Sequence, residues 1–197
     1  MELNLINESL VFKVGNDHVE STVKFGDILC VVVDNFYENP KLVRDLALSI
    51  PPTSHTHRGA YPSIMINASC DLRPLTKTYQ KYIQKYFPGL QSDDYIAQNL
   101  DQATFMVNVM QSDGNEYLPP HIDNPSGVNF ASSIYLNLPE ECSGGTSFFD
   151  NDGNYLGYVE MKFNRMVLYI QNVQHTARME FNSFVGGNYR INQQFFI

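Results

Sequence analysis

The sequence predicts an α+β, mainly β protein: a jelly roll, or double-stranded β-helix, backed by N-terminal helices. Three observations predict it. Residue usage suits pleated surfaces, since aromatics are 13% of the 197 residues, with 12 Tyr, 13 Phe and no Trp, while the helix formers Ala, Glu and Lys are sparse. From residue 103 onward, short apolar segments alternate with turn signals. Ahead of them lie two stretches with helical periodicity.

Taken in order, Ile28 to Val33 is the longest apolar run, and it makes Asp27–Phe36 a strand. Asn39-Pro40 then starts a helix, because Asn caps well and Pro is tolerated at the first helical position. Leu42, Val43, Leu46, Ala47 and Ile50 recur at helical spacing until Pro51-Pro52 stops them. A second helix runs from about Asp71 to Tyr86, with Leu72, Leu75, Tyr79, Tyr82, Ile83 and Tyr86 on one core-facing side. Between the helices, the polar stretch Thr53–Ser63 reads as a loop. The later strands are Thr104–Met110, Tyr117–Asp123, Phe130–Leu138, Thr146–Asp150, Tyr155–Met161, Met166–Gln171, His175–Phe181 and Tyr189–Ile197. Turns such as Ser112-Asp113-Gly114-Asn115, Asp152-Gly153-Asn154 and Gly186-Gly187-Asn188 separate them.

Size and charge limit the function. The chain reads as one domain, 1–197, with a helical support and substrate-lid region over 1–102 and a catalytic jelly roll over 103–197. Thirteen Lys and Arg against 21 Asp and Glu give a net charge of −8. That sign repels phosphate backbones, so no nucleic-acid partner is expected. No run approaches the roughly 20 apolar residues of a membrane helix, and no secretory leader is expected, since Met-Glu-Leu-Asn-Leu lacks a basic region followed by an apolar run. Cys30, Cys70 and Cys142 are odd in number and far apart, which suits a reduced, cytoplasmic protein rather than a disulfide framework.

His121, Asp123 and His175 carry the chemistry. Residues i and i+2 of a strand share a face, so His121 and Asp123 would project together as an imidazole and a carboxylate. His175 opens a later predicted strand. Two histidines and one carboxylate form the facial triad of non-haem Fe(II) oxygenases, which leaves three positions of an octahedron open.

Four ordered blocks surround these residues. They are 114–125 (Gly-Asn-Glu-Tyr-Leu-Pro-Pro-His-Ile-Asp-Asn-Pro), Ile134-Tyr135-Leu136-Asn137, Ser143-Gly144-Gly145-Thr146, and Lys162-Phe163-Asn164-Arg165-Met166-Val167-Leu168. In this order they resemble the 2-oxoglutarate- and Fe(II)-dependent dioxygenase superfamily, in particular its prolyl-hydroxylase-like branch. The resemblance covers roughly Phe105 to Phe196, nearly half the chain.

It implies a hydroxylase that takes Fe(II), 2-oxoglutarate and O2, with His121, Asp123 and His175 as metal ligands. It implies a basic residue for the far carboxylate of 2-oxoglutarate, a task that suits the planar fork of arginine. Arg178 would share the strand of His175 with opposite parity, whereas Arg190 lies on the next strand, so Arg190 is the expected anchor. Tyr135 matches a family tyrosine whose hydroxyl meets that carboxylate. Asn192 shares the face of Arg190, and Asn108 is polar within an apolar strand; both are candidate co-substrate contacts. Asp123 favours hydroxylation or desaturation, because related halogenases place Gly or Ala there. The expected product step releases succinate and CO2 on oxidation of an unactivated C–H bond. Small size favours a small molecule or free amino acid as substrate. A peptidyl (prolyl-type) hydroxylase, a cupin-type enzyme without the co-substrate and a non-catalytic metal-binding jelly roll remain open. His55, His57, Arg58 and Tyr61 lie where relatives place a lid, His18 reads as surface, and Cys142 as a partly exposed bystander.

Overall fold

The computed structural model describes residues 11–49, 54–58, 61–68, 73–90, 103–108, 119–123, 129–180, 183–184 and 188–197. The elements in chain order are β1 (Val19–Phe25), β2 (Ile28–Asp34), α1 (Pro40–Ser49), β3 (Ser54–Arg58), β4 (Tyr61–Ala68), α2 (Arg73–Tyr86), β5 (Ala103–Asn108), β6 (Phe130–Tyr135), β7 (Gly145–Phe149), β8 (Tyr155–Glu160), β9 (Met166–Ile170), β10 (Gln174–Arg178) and β11 (Arg190–Phe196). They form an antiparallel sheet of order β1-β2-β9-β6-β11-β5-β4-β3 and a second of order β10-β7-β8. This is the jelly-roll arrangement that the spacing of short strands predicts.

Strand parity builds two cores. One face of the large sheet carries Cys30, Val32, Tyr135, Val167 and Tyr169 against Phe148 and Val159 of the small sheet. The opposite face carries Val31, Val33, Ile134, Leu168, Ile191 and Phe195, covered by Val43, Leu46 and Ala47 of α1 and by Leu75, Tyr79, Tyr82 and Ile83 of α2. Both helices therefore bury most of the stripes that their periodicity marked; Leu42 is exposed, Tyr86 is half-buried, and Ile50 and Leu72 lie outside the described residues. Two buried polar pairs lie here: the Tyr79 hydroxyl meets Ser132 Oγ at 2.7 Å, and Tyr37 donates to Gln193 Oε1 at 2.7 Å.

Three expectations are corrected. Thr53–Ser63 is not a loop throughout, because Ser54–Arg58 and Tyr61–Ala68 pair as an antiparallel hairpin at the edge of the large sheet. Backbone pairing holds an edge strand even when its residues, Ser-His-Thr-His-Arg, are polar. β1 was not expected at all, since most of its residues are exposed and it lacks an apolar run; the Gly26-Asp27 turn, with Gly26 at φ 59°, folds it back onto β2. Finally, residues 119–123 of the expected strand Tyr117–Asp123 form no strand, only a single bridge between His121 and His175. In an antiparallel ladder the next equivalent pair would be Pro119 with Ala177, and Pro119 has no N–H to give. Expected residues 117–118 lie outside the described part.

Candidate metal centre

His175 is the second residue of β10 and points between the sheets, paired across the strand with Phe148. Its ring is nearly enclosed, at 7% side-chain exposure. Nδ1 lies 3.0 Å from the Val173 carbonyl oxygen. A carbonyl only accepts, so this contact places a proton on Nδ1 and leaves Nε2 as the atom that faces the site and would serve a metal. Tyr169 packs edge-on against the ring at 5.1 Å, and also against Phe148 at 5.1 Å.

His121 reaches the same place from outside the ladder. Its N–H donates to the His175 carbonyl, and the His175 N–H donates back, each at 3.0 Å. This two-bond bridge sets the rings 4.7 Å apart. Asp123 then turns its carboxylate between them: Oδ1 is 3.5 Å from His121 Nε2 and Oδ2 is 3.3 Å from His175 Nε2. One ligand atom from each residue lies within 4.8 Å of the others. Burial works to raise the Asp123 carboxyl, but the two imidazoles outweigh it and hold it well below the usual carboxylate range. Two imidazole nitrogens, which give up any proton when a metal takes them, and one carboxylate converging on a point fit a divalent first-row metal, and iron is among the ions this donor set suits.

Arg190 sits at the other end of the interior, 2% exposed at the start of β11. It donates from Nη1 to Asn192 Oδ1 at 2.7 Å and from Nη2 to the Gly145 carbonyl at 3.3 Å. Its guanidinium carbon lies 5.6 Å from the Tyr135 ring centre. Tyr135 is fully buried, with its hydroxyl 2.6 Å from Thr146 Oγ1. Burial pushes the Tyr135 phenol up, against the pull of the Arg190 charge. Asn192 is also fully buried, and among the described residues its Nδ2 has no hydrogen-bond partner. Arg178, by contrast, faces outward: it pairs with Glu180 at 3.0 Å, donates to the Tyr155 hydroxyl and lies over Tyr158. Asn108 is opposite Arg190 in the β5–β11 register; its side chain, like those of His55, His57, Arg58 and Tyr61, is outside the described part. His18 is half-buried, with Nδ1 2.7 Å from the Gly15 carbonyl.

The sequence pattern missed Tyr169, Thr146 and the Val173 carbonyl. Tyr169 alternates with Leu168 and Ile170, and that parity was the available signal for its inward aim. Thr146 follows the Gly144-Gly145 turn directly. At Gly144 (φ 69°) a Cβ would overlap the Arg178 carbonyl, and at Gly145 (φ 149°) the Val159 carbonyl. Glycine here lets β7 start between its two neighbours.

Solved structures share this architecture. A prolyl hydroxylase from Trichoplax adhaerens, in complex with a hypoxia inducible factor oxygen degradation domain peptide fragment, has TM-score 0.53 and 16% identity, covering 85% of this chain and 82% of that one. A prolyl 4-hydroxylase from Phytophthora capsici has TM-score 0.51 and 15% identity, over 85% of this chain and 57% of that one. A Shewanella oneidensis protein provisionally assigned as an oxygenase has TM-score 0.50 and 15% identity, over 96% and 83%. The chain therefore has the jelly-roll fold of the prolyl hydroxylases, with a His-Asp-His cluster in which His175 is buried and His121 and Asp123 are exposed. By sequence it belongs to DUF6445, a family of unknown function whose model matches residues 20–156. No curated protein matches the chain. Among the described residues, no helix is long and apolar enough to cross a membrane.

Proposed function

We propose that this protein is an Fe(II)- and 2-oxoglutarate-dependent oxygenase that hydroxylates an unactivated C–H bond of a small molecule or amino acid, with release of succinate and CO2. The observation that carries the proposal is the convergence of His121, Asp123 and His175 within 4.8 Å, on a hydroxylase fold. Ferrous iron and 2-oxoglutarate, when bound, supply the activation of dioxygen; the protein's part is to hold, orient and exclude water.

In this reading His121, Asp123 and His175 hold the metal, with Asp123 contributing the charge and Val173 fixing the His175 tautomer. Arg190 takes the far carboxylate. Phe148, opposite His175, and Gly145, bonded by Arg190, are three residues apart on β7, or about 10 Å at strand rise. That separation suits a short diacid held at both ends. Asn192 holds the Arg190 fork through Oδ1 and offers its Nδ2 as a further donor. Tyr135, kept neutral by burial, lies under the guanidinium and offers a hydroxyl. Asn108 is a third polar candidate by register. The outward aim of Arg178 supports Arg190 over it. A peptide substrate is the second reading, favoured by the peptide complex of the Trichoplax enzyme.

Addition of Fe(II) and 2-oxoglutarate without oxygen is expected to give a visible charge-transfer band. Arg190→Ala weakens 2-oxoglutarate binding by roughly ten- to a hundred-fold, the worth of a charge-assisted hydrogen bond, while Arg178→Ala leaves it unchanged. Succinate release, screened over amino acids and peptides, identifies the substrate. Absence of both band and succinate would sink the assignment.

A further inference from the structure

Strand β1 is one end of the large sheet, and among the described residues its outer edge has no neighbour. It pairs with β2 at every position, from Val19 with Asp34 to Phe25 with Ile28, without a bulge. Natural sheets blunt a free edge with proline, a bulge or a very short strand. β1, Val-Glu-Ser-Thr-Val-Lys-Phe, has no proline, and the two charges it carries, Glu20 and Lys24, are of opposite sign. Apolar side chains meet solvent along this edge. Val19 is 60% exposed and Val23 37%, and Leu156 of the adjoining β8, also 37% exposed, lies beside Gly26.

The turn decides which backbone groups are open. Gly26-Asp27 is a two-residue loop with φ 59° at Gly26. Such a loop closes on a hydrogen-bonded pair, here Phe25 with Ile28. By alternation Val23, Ser21 and Val19 also bond β2, while Lys24, Thr22 and Glu20 direct their N–H and C=O groups to the free edge. An incoming antiparallel strand must bond those three residues. For β1 of a second copy, the register centred on Thr22 uses the whole strand and sets Glu20 of each copy opposite Lys24 of the other. Registers centred on Ser21 or Val23 keep the hydrogen-bond phase, but they shorten the ladder and set Glu20 opposite Thr22 or Gly26.

The side chains can accept this pairing. Glu20 Oε2 accepts from Lys85 Nζ at 2.7 Å and from the Tyr86 hydroxyl at 2.8 Å. Oε1 lies 3.5 Å from His18 Nε2 and has room for a further cation. Lys24 is exposed and makes no ion pair among the described residues. On the other face, Val19 would lie opposite Phe25 of the second copy, and the two Val23 side chains would be diagonal neighbours. Charge and apolar surface are both self-complementary about one two-fold axis, as an isologous interface requires.

We propose that β1 is a dimerisation strand, by which two copies of this chain join edge to edge, antiparallel about Thr22, so that their large sheets become one. The proposal does not use the oxygenase reading. β8 and β10 are opposite edges of the small sheet, so the join lies on the far side from His175.

Sedimentation equilibrium of the full chain tests this. Twice the chain mass is expected at micromolar concentration. Lys24→Glu sets Glu against Glu20, and Glu20→Lys sets Lys against Lys24, in each case at both ends of the ladder. Each variant alone is expected to dimerise at least about ten-fold more weakly. An equimolar mixture of the two restores opposite charges at both ends and is expected to recover the dimer. Thr22→Pro removes an N–H that faces away from β2, a change an edge strand tolerates. It is expected to give a folded monomer by circular dichroism. A monomer at every concentration overturns the proposal, as does a dimer indifferent to these variants or a mixture that stays monomeric. A mass that grows without limit as concentration rises indicates head-to-tail joining and overturns it too.

Discussion

At the metal cluster each residue does a different job, and single substitutions separate them. His175 is oriented by Val173 and its ring is packed by Tyr169, so its geometry is set before any ion arrives. Asp123 brings the negative charge that a divalent cation requires. His121→Ala or Asp123→Ala removes a ligand outright, and metal affinity is expected to fall more than the 10- to 100-fold usual for losing an outer partner; calorimetric titration with Fe(II) under argon measures it. Much of this was legible. His121 and Asp123 do share a side, although the strand from which that was argued does not form over 119–123, and strand parity separated Arg190 from Arg178. Tyr169 and Thr146 were not legible, because what matters is their contact with residues on other strands, and the chain does not state which strands will face each other.

The Gly144-Gly145 turn decides where an element begins. It carries β7 into the gap between β10 and β8, and it presents the Gly145 carbonyl to Arg190. Gly145→Ala adds a methyl where the Val159 carbonyl stands, and also strains φ. A loss of at least about 2 kcal/mol is expected in urea unfolding, with weaker 2-oxoglutarate binding in the fraction that folds. Helices were the easiest elements to read, since their apolar stripes and terminal prolines are local signals. The edge strands β1 and β3 were the hardest. Their pairing comes from backbone groups, which every residue possesses; β3 is polar throughout, and β1 alternates only weakly, with Val19, Val23 and Phe25 on one parity.

Across the whole molecule, one ion-pair cluster links the start of the chain to its end. Asp34 on β2 accepts from Arg165 Nε at 2.6 Å and Nη2 at 3.0 Å, and from Lys162 at 2.8 Å. The Arg165 guanidinium first, with Lys162 in support, outweighs partial burial and holds the Asp34 carboxyl below its ordinary value. Such a group stabilises the fold fully above the unfolded carboxyl value, about 4, and loses that contribution as pH falls through the lower folded value. Asp34→Asn is therefore expected to be less stable near pH 7 by about 1 kcal/mol, with the difference shrinking below about pH 4. Urea midpoints across pH measure this, and a gap independent of pH would refute it. The first half of the sequence announced little of this role, although four of the eight large-sheet strands, β1 to β4, lie in it.

The proline pair beside His121 has a last consequence. One imidazole is anchored in a continuous ladder, while the other is carried by residues 119–123, whose bridge to β10 Pro119 cannot extend by a backbone donor. Capture of an ion would then do two jobs at once, offsetting the carboxylate's charge and joining His121 and Asp123 to the strand that carries His175. The cluster would tighten as it fills, rather than wait as a finished socket.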